Sequence, residues 1–180
     1  LPVNQAPKLI ITPVGTLDAE ERAAIIQLCT AAFDQDFATL FALVPPTTMH
    51  IRAFDAGRLV GHACWSPRLL QPGPLPPLHT AYVDAVATAR ANQGRGIGSA
   101  ILTRLADETI HYQLRALSTT RPSFYARLGW QRWRGRIAVR TPGGLLDTPD
   151  ETVMILPTRL TPALDLDRLI TAEPRDGTPW

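Results

Sequence analysis

The stretch from Tyr82 to Ser99 constrains this chain more than any other. An apolar run, Tyr82-Val83-Asp84-Ala85-Val86-Ala87, carries one acid and leads to Gln93-Gly94-Arg95-Gly96-Ile97-Gly98-Ser99. Ile97, Ile101, Leu102, Leu105 and Ile110 then recur at helical spacing to about Tyr112. The pattern predicts a strand over His79–Thr88, a Gly-rich turn over Gly94–Gly98 and a long helix. Small residues let backbone N–H groups approach a pyrophosphate, and a helix N-terminus adds positive potential. On glycine spacing alone, a merely tight strand-to-helix turn explains the pattern equally well. Two phosphate-binding patterns fail. A P-loop needs Lys before its Ser or Thr, and here Gly98 precedes Ser99-Ala100. The dinucleotide fingerprint needs glycines spaced two then three apart, and here the spacing is two throughout.

The remaining chain reads as alternating strands and helices. Leu9–Val14 predicts a first strand. Asp18 caps a helix with Glu20 and Glu21 in its first turn, running to about Phe33. Residues 34–47 read as irregular. Met49–Phe54 and Leu59–Trp65 form a hairpin about Asp55-Ala56-Gly57-Arg58. A stiff loop with Pro67, Pro72, Pro74, Pro76 and Pro77 follows. Leu114–Ser118 is a strand and Pro122–Leu128 a short helix with Gly129 after its end. Trp130–Val139 and Thr152–Leu156 close the series with strands. With 180 residues and no internal repeat, a single domain over 1–180 is expected.

Composition narrows the function classes. Apolar residues are 45% and the net charge is +2, which excludes wholesale disorder and gives no strong field for nucleic acid. No apolar run reaches the roughly 18 residues a membrane span needs. Residues Leu1–Lys8 lack the order of a signal peptide, so a cytoplasmic location is expected. Cys29 and Cys64 are too few for a disulfide framework or a metal cluster, and His50, His62, His79 and His111 lack zinc spacing, so no metal is expected. Cys64 has no evident His partner for a nucleophilic role, Cys29 falls near an apolar helix face, and His111 belongs to the last turn of the long helix. Arg132, Arg134 and Arg136 alternate near Trp130 and Trp133 as a solvated strand face, which does not amount to a nucleic-acid site.

Gln93-x-x-Gly96-x-Gly98 after an apolar strand resembles the acetyl-CoA pyrophosphate loop of the GCN5-related N-acetyltransferase superfamily, with matching element order over roughly residues 8–157. Within it, Ala32-Phe33 with Asp36-Phe37, Tyr82-Val83-Asp84, Leu117-Ser118, Tyr125-Ala126 with Gly129-Trp130, Thr148-Pro149-Asp150 and the C-terminal Trp180 are similar to the aminoglycoside 2′-N-acetyltransferases. The resemblance implies an α/β fold with a mixed, mostly antiparallel central sheet flanked by helices and splayed at the acetyl-CoA site. It implies a homodimer, with residues 158–180 as a C-terminal extension reaching the substrate.

The resemblance also assigns roles. Asp84 stands where the family has a Glu acting as base through ordered water, one methylene longer. Tyr125 would protonate the leaving thiolate. Backbone N–H groups of Val86 and Ala87 would bind the acetyl carbonyl and pantetheine, and Gln93, Gly94, Arg95, Gly96, Gly98 and Ser99 the pyrophosphate. Substrate ammonium groups would meet Asp36, Asp84, Asp150 or Glu151 and the Trp180 carboxylate, beside Ser118, with Pro179 setting the approach of Trp180. Two family acids are missing, at Phe41 and Thr178. That loss implies a substrate with fewer ammonium groups, such as kasugamycin, which one branch of the family acetylates. Two other readings stay open: an acetyltransferase for another small amine, and a non-catalytic acyl-CoA-binding regulator.

Overall fold

Asp18 starts the first helix as the sequence demands. Its carboxylate accepts from the Glu21 N–H at 2.8 Å, and Glu21 accepts in return from the Asp18 N–H at 3.1 Å, a reciprocal capping box. The computed structural model describes residues 6–178 and Trp180; Pro179 and residues 1–5 of the N-terminal stretch lie outside the described residues. The chain folds as two compact units, Leu1–Ser66 with Asp84–Glu108 and Pro67–Val83 with Thr109–Trp180. Strands β3 (Arg58–Pro72) and β4 (Leu78–Thr88) each run from one unit into the other.

In the first unit, β1 (Lys8–Pro13), β2 (Met49–Asp55) and the first part of β3 form an antiparallel sheet. The β2–β3 turn is Ala56-Gly57, both at positive φ (47° and 78°), the tight hairpin expected there. A bulge then intervenes. Phe54 pairs with Leu59 but Ala53 pairs with Gly61, so Val60 is extra and every later pair shifts by one. Helix α1 (Ala19–Phe33) buries Ile25, Leu28 and Cys29. Residues 34–47 are less irregular than expected: α2 (Phe37–Ala42) forms there, with Asp36 as its N-cap and Phe37 and Phe41 buried. Helix α3 (Ile97–Glu108) lies so close to β3 that a Cβ on Gly61 would come within 2.7 Å of Ile97 and 2.8 Å of Ile101. It ends earlier than its apolar period implies, which leaves His111 beyond the helix, its ring against Tyr112.

In the second unit the strand order is β6-β9-β5-β4-β3-β10-β7-β8. Strand β5 (Leu114–Ser118) is parallel to β4 and antiparallel to β9 (Val153–Pro157). The β4–β5 register ends at Tyr82↔Ala116. Pro67 and Pro72 fall inside β3 rather than in a loop. Pro67 stands outside the registers with β2 and β10, where its missing N–H breaks no bond to either. The run Trp130–Val139 is broken into β6 (Gln131–Arg132) and β7 (Ile137–Thr141). Gly135 sets the break: a Cβ there would lie 1.9 Å from the Arg168 carbonyl oxygen. The arginines are therefore no strand face; Arg134 pairs with Asp167 and Arg136 with Asp147. Two further strands carry little sequence signal, β8 (Gly144–Asp147) and β10 (Ile170–Ala172). The latter lies antiparallel to β3 and parallel to β7. Among the described residues, no helix is long and apolar enough to cross a membrane.

Candidate active site

Strand β4 is interrupted at the acid that the sequence singles out. Ala85, next to Asp84, has φ 53°, a left-handed conformation that a non-glycine residue adopts at a cost. The cost is met by bonds from β3. The Cys64 thiol donates to the Asp84 carbonyl at 3.5 Å, and His62 Nδ1 lies 2.9 Å from the Ala85 carbonyl. Two successive carbonyls thus take partners on the same neighbouring strand, which a regular strand does not allow. Asp84 and Val86 are half-buried, while Ala87 packs with Phe37, Phe41 and Ile25.

Beyond β4 the chain turns through Gly94 and Gly96, both near φ 77°. A Cβ at either would meet nothing within 4 Å, so these glycines serve conformation and leave the backbone open on that side. The Gly96 carbonyl accepts from the Ala100 N–H at 2.9 Å and so begins α3, which places Gly98 and Ser99 in its first turn, where helix N–H groups lack intrahelical partners. Gln93 Nε2 donates to the Thr88 carbonyl at 3.3 Å, and Arg95 pairs with Asp55 at 2.9 Å. An open glycine turn feeding a helix N-terminus suits a pyrophosphate. Asp36 has a structural duty: it accepts from the Ala38 N–H at 3.0 Å and from the Thr39 hydroxyl at 2.9 Å. These bonds, the Thr39 hydroxyl first, hold its carboxyl below the usual range.

The second unit carries the other predicted residues. Tyr125 sits on α4 (Pro122–Ala126), buried, its ring edge-on to Trp130 at 5.8 Å. Burial pushes its phenol up to about 12, against weaker opposing effects of a hydrogen bond with Thr119 and the charge of Arg121. Ser118, at the end of β5, donates to the Glu151 carboxylate, so the structure brings these two together; Asp150 is exposed. The Trp180 side chain is no frayed end. It is 3% exposed and packs among Leu70, Tyr82, Trp133 and Ile170. Arg175 stacks over Tyr82, 4.8 Å from its ring centre, and donates to the carbonyl of Thr178 at 2.7 Å. Two surface grooves of this unit, one along Pro72–Leu75 and one along Pro157–Thr158, contain none of the predicted site residues.

Sequence reasoning missed a buried cluster. His50, His62 and Cys64 lie with one side-chain atom of each within 4.8 Å of one another, and the Cys64 thiol gives its bond to the Asp84 carbonyl. The Val60 bulge explains the miss. It sets His50 opposite Cys64 and Arg52 opposite His62, which brings all four to one face; unbulged register would have divided them. Cys29 reaches the cluster from α1, 3.6 Å from His62 Nδ1, and burial raises its thiol to about 12.

A β4 strand broken beside an acid, leading into an open glycine turn and a helix N-terminus, is the arrangement of an acyl-CoA-dependent transferase. The model of the acetyltransferase (GNAT) family matches residues 17–130, and the chain belongs to that family as an acetyl-CoA-dependent N-acetyltransferase. Within the family it is 32% identical, over 91% of its own length and 87% of the relative's, to an aminoglycoside 2′-N-acetyltransferase of Mycolicibacterium fortuitum. The fold is shared with more distant structures. A GNAT-family N-acetyltransferase of Escherichia coli in complex with CoA gives a TM-score of 0.63 at 14% identity, over 93% of this chain and 89% of that one. An acyl-CoA N-acyltransferase of Pseudomonas aeruginosa gives 0.57 at 18% identity, over 83% and 99%.

Proposed function

We propose that the chain transfers the acetyl group of acetyl-CoA to the 2′-amine of an aminoglycoside, with kasugamycin the preferred acceptor, and so confers resistance to the drug. The near end-to-end similarity to an aminoglycoside 2′-N-acetyltransferase carries this reading. Acetyl-CoA supplies the acyl group as a thioester. Gln93, Gly94, Arg95, Gly96, Gly98 and Ser99 hold its pyrophosphate, and the Val86 and Ala87 N–H groups polarise the acetyl carbonyl. Asp84 accepts a proton from the amine through water. Tyr125, a phenol that holds its proton at neutral pH, returns one to the departing thiolate. The enzyme acts in the cytoplasm as a homodimer of single-domain chains, with residues 158–180 extending to the substrate.

Asp36, Asp84, Ser118, Asp150, Glu151 and the Trp180 carboxylate receive the drug's ammonium and hydroxyl groups. The preference for kasugamycin rests on two positions where the family has acids. Phe41 is buried against His50, and Thr178 accepts from Arg175, so neither offers a charge to a polycation. The test is thiol release from acetyl-CoA with kasugamycin, gentamicin and tobramycin in parallel. Faster turnover of kasugamycin, with acetylation at the 2′-nitrogen by NMR, is the expected result. Preference for the polyamine drugs would sink the kasugamycin assignment. Release with other amines only would make this an acetyltransferase of a different substrate, and release with none would favour an acyl-CoA-binding regulator.

A further inference from the structure

The hydrogen bonds around His62 determine where its protons are. The Ala85 carbonyl can only accept, so His62 Nδ1 carries the proton of the 2.9 Å bond between them. Its Nε2 is then a bare acceptor, and His50 Nδ1, 2.9 Å away, must donate to it. Every donor in the chain points one way, from His50 to His62 to Ala85. His50 Nε2 is left with a lone pair that no described residue meets, although His50 is fully buried. A buried acceptor without a donor is held there at a cost in desolvation. Burial also disfavours an added proton on either ring, holding His50 down to about 4 and His62 down to about 3. Phe41 lies over His50 at 5.4 Å between ring centres, and Cys29 Sγ, 3.6 Å from the same His62 Nδ1, is in this assignment an acceptor beside the shorter Ala85 bond.

We infer that His62 and Cys64, with His50 fixing the tautomer of His62, are positioning residues that hold the β4 break open for acetyl-CoA. Their side chains take the carbonyls of Ala85 and Asp84. With both carbonyls drawn toward β3, Ala85 stays left-handed and the Asp84–Ala87 backbone keeps the course that the transfer requires. If His62 changed tautomer, a lone pair would face the Ala85 carbonyl oxygen and repel it. The inference rests on the proposed role of Val86 and Ala87, and its tests separate the two.

The first test needs no variant. Two-dimensional 15N NMR of the imidazoles of the intact protein at pH 7 should show His62 neutral and protonated at Nδ1. An Nε2-protonated or doubly protonated His62 would overturn the inference. The second test uses isosteres, because an Asn amide nitrogen overlays imidazole Nδ1. His62→Leu removes the donor and should raise the acetyl-CoA Kd by about tenfold, with the amine KM nearly unchanged. His62→Asn restores the donor and should recover most of the affinity. If His62→Leu binds acetyl-CoA as wild type does, or if His62→Asn is as impaired as His62→Leu while both melt cooperatively, the inference falls. Absence of acetyl-CoA binding by the wild-type protein would instead remove the functional reading, and the clamp's role in acetyl-CoA binding with it.

Discussion

Tyr125 meets Trp130 edge to face, ring centres 5.8 Å apart, and Trp130 donates its backbone N–H to the Tyr125 carbonyl at 3.2 Å. The ring is therefore held by packing and backbone, and its hydroxyl is chemically separable from its structural role. Tyr125→Phe should melt within a few degrees of wild type and lose about a hundredfold in kcat, the usual scale for a positioned acid. Unchanged turnover would remove Tyr125 from the reaction.

Asp84 calls for a pH profile as well as a rate. Asp84→Ala should lower kcat/KM for the amine by about a hundredfold at pH 7. The loss should narrow as pH rises, because an amine already deprotonated in solution no longer needs the carboxylate. A deficit that stays constant to high pH would argue that Asp84 binds substrate and does not move a proton.

Trp180 is expected to matter twice. Replacing a buried Trp by Ala costs about 3–5 kcal/mol, and Trp180 is packed among Leu70, Tyr82 and Trp133. Trp180→Ala should therefore lower the melting temperature as well as aminoglycoside turnover. Trp180→Phe, which keeps an aromatic filler, should recover more of the melting temperature. Calorimetry beside kinetics distinguishes lost packing from lost recognition.

The neutral histidine pair makes stability depend on pH. An unfolded His takes a proton near 6.5, whereas His50 and His62 resist until about 4 and about 3. Between those values the unfolded chain binds more protons than the native one, so stability is full above about pH 6.5 and falls as pH drops. His62→Asn should flatten that part of a chemical-denaturation curve between pH 4.5 and 7. An equal slope in wild type and variant would show that His62 is not the group responsible.

Gly135 offers a test of the second unit alone. Its added Cβ would strike the carbonyl that also accepts from Trp133 Nε1 at 2.7 Å, and the obstruction is backbone, which cannot rotate away. Gly135→Ala should destabilise by about 3 kcal/mol, read from urea midpoints. A neutral substitution would mean that the Arg168 backbone yields freely.

What the sequence discloses and what it hides have physical reasons. The β4–turn–α3 segment was legible because its signals are local: an apolar run, glycines at positive φ and a helical apolar period all fall within thirty residues. The Asp18 cap and the Ala56-Gly57 turn were legible on the same ground. His62 was not, because its partners depend on register, and register depends on the one extra residue at Val60. Strand β10 was hidden for another reason: three residues hold too little period to see, and the segment is a strand only because β3 and β7 leave room for it. The family resemblance supplied the proposed roles of Asp84 and Tyr125, but not the duty of Asp36 as a helix cap, which a D-x-x-T pattern before an apolar stretch would have announced.

Strand β10 also bears on how the protein is made. Among the described residues it is the last strand in chain order, yet it lies inside the sheet between β3 and β7, and β7 and β8 join the sheet through it. A ribosome delivers β7 and β8 well before Ile170–Ala172 appear. Until then the β7 edge is unpaired and Leu145 and Leu146 of β8, still exposed in the finished fold, have no sheet behind them. Open strand edges beside apolar side chains are routes to aggregation. The nascent chain is therefore most vulnerable between the emergence of β8 and that of β10, and a lesion in β10 should reduce yield before it alters catalysis.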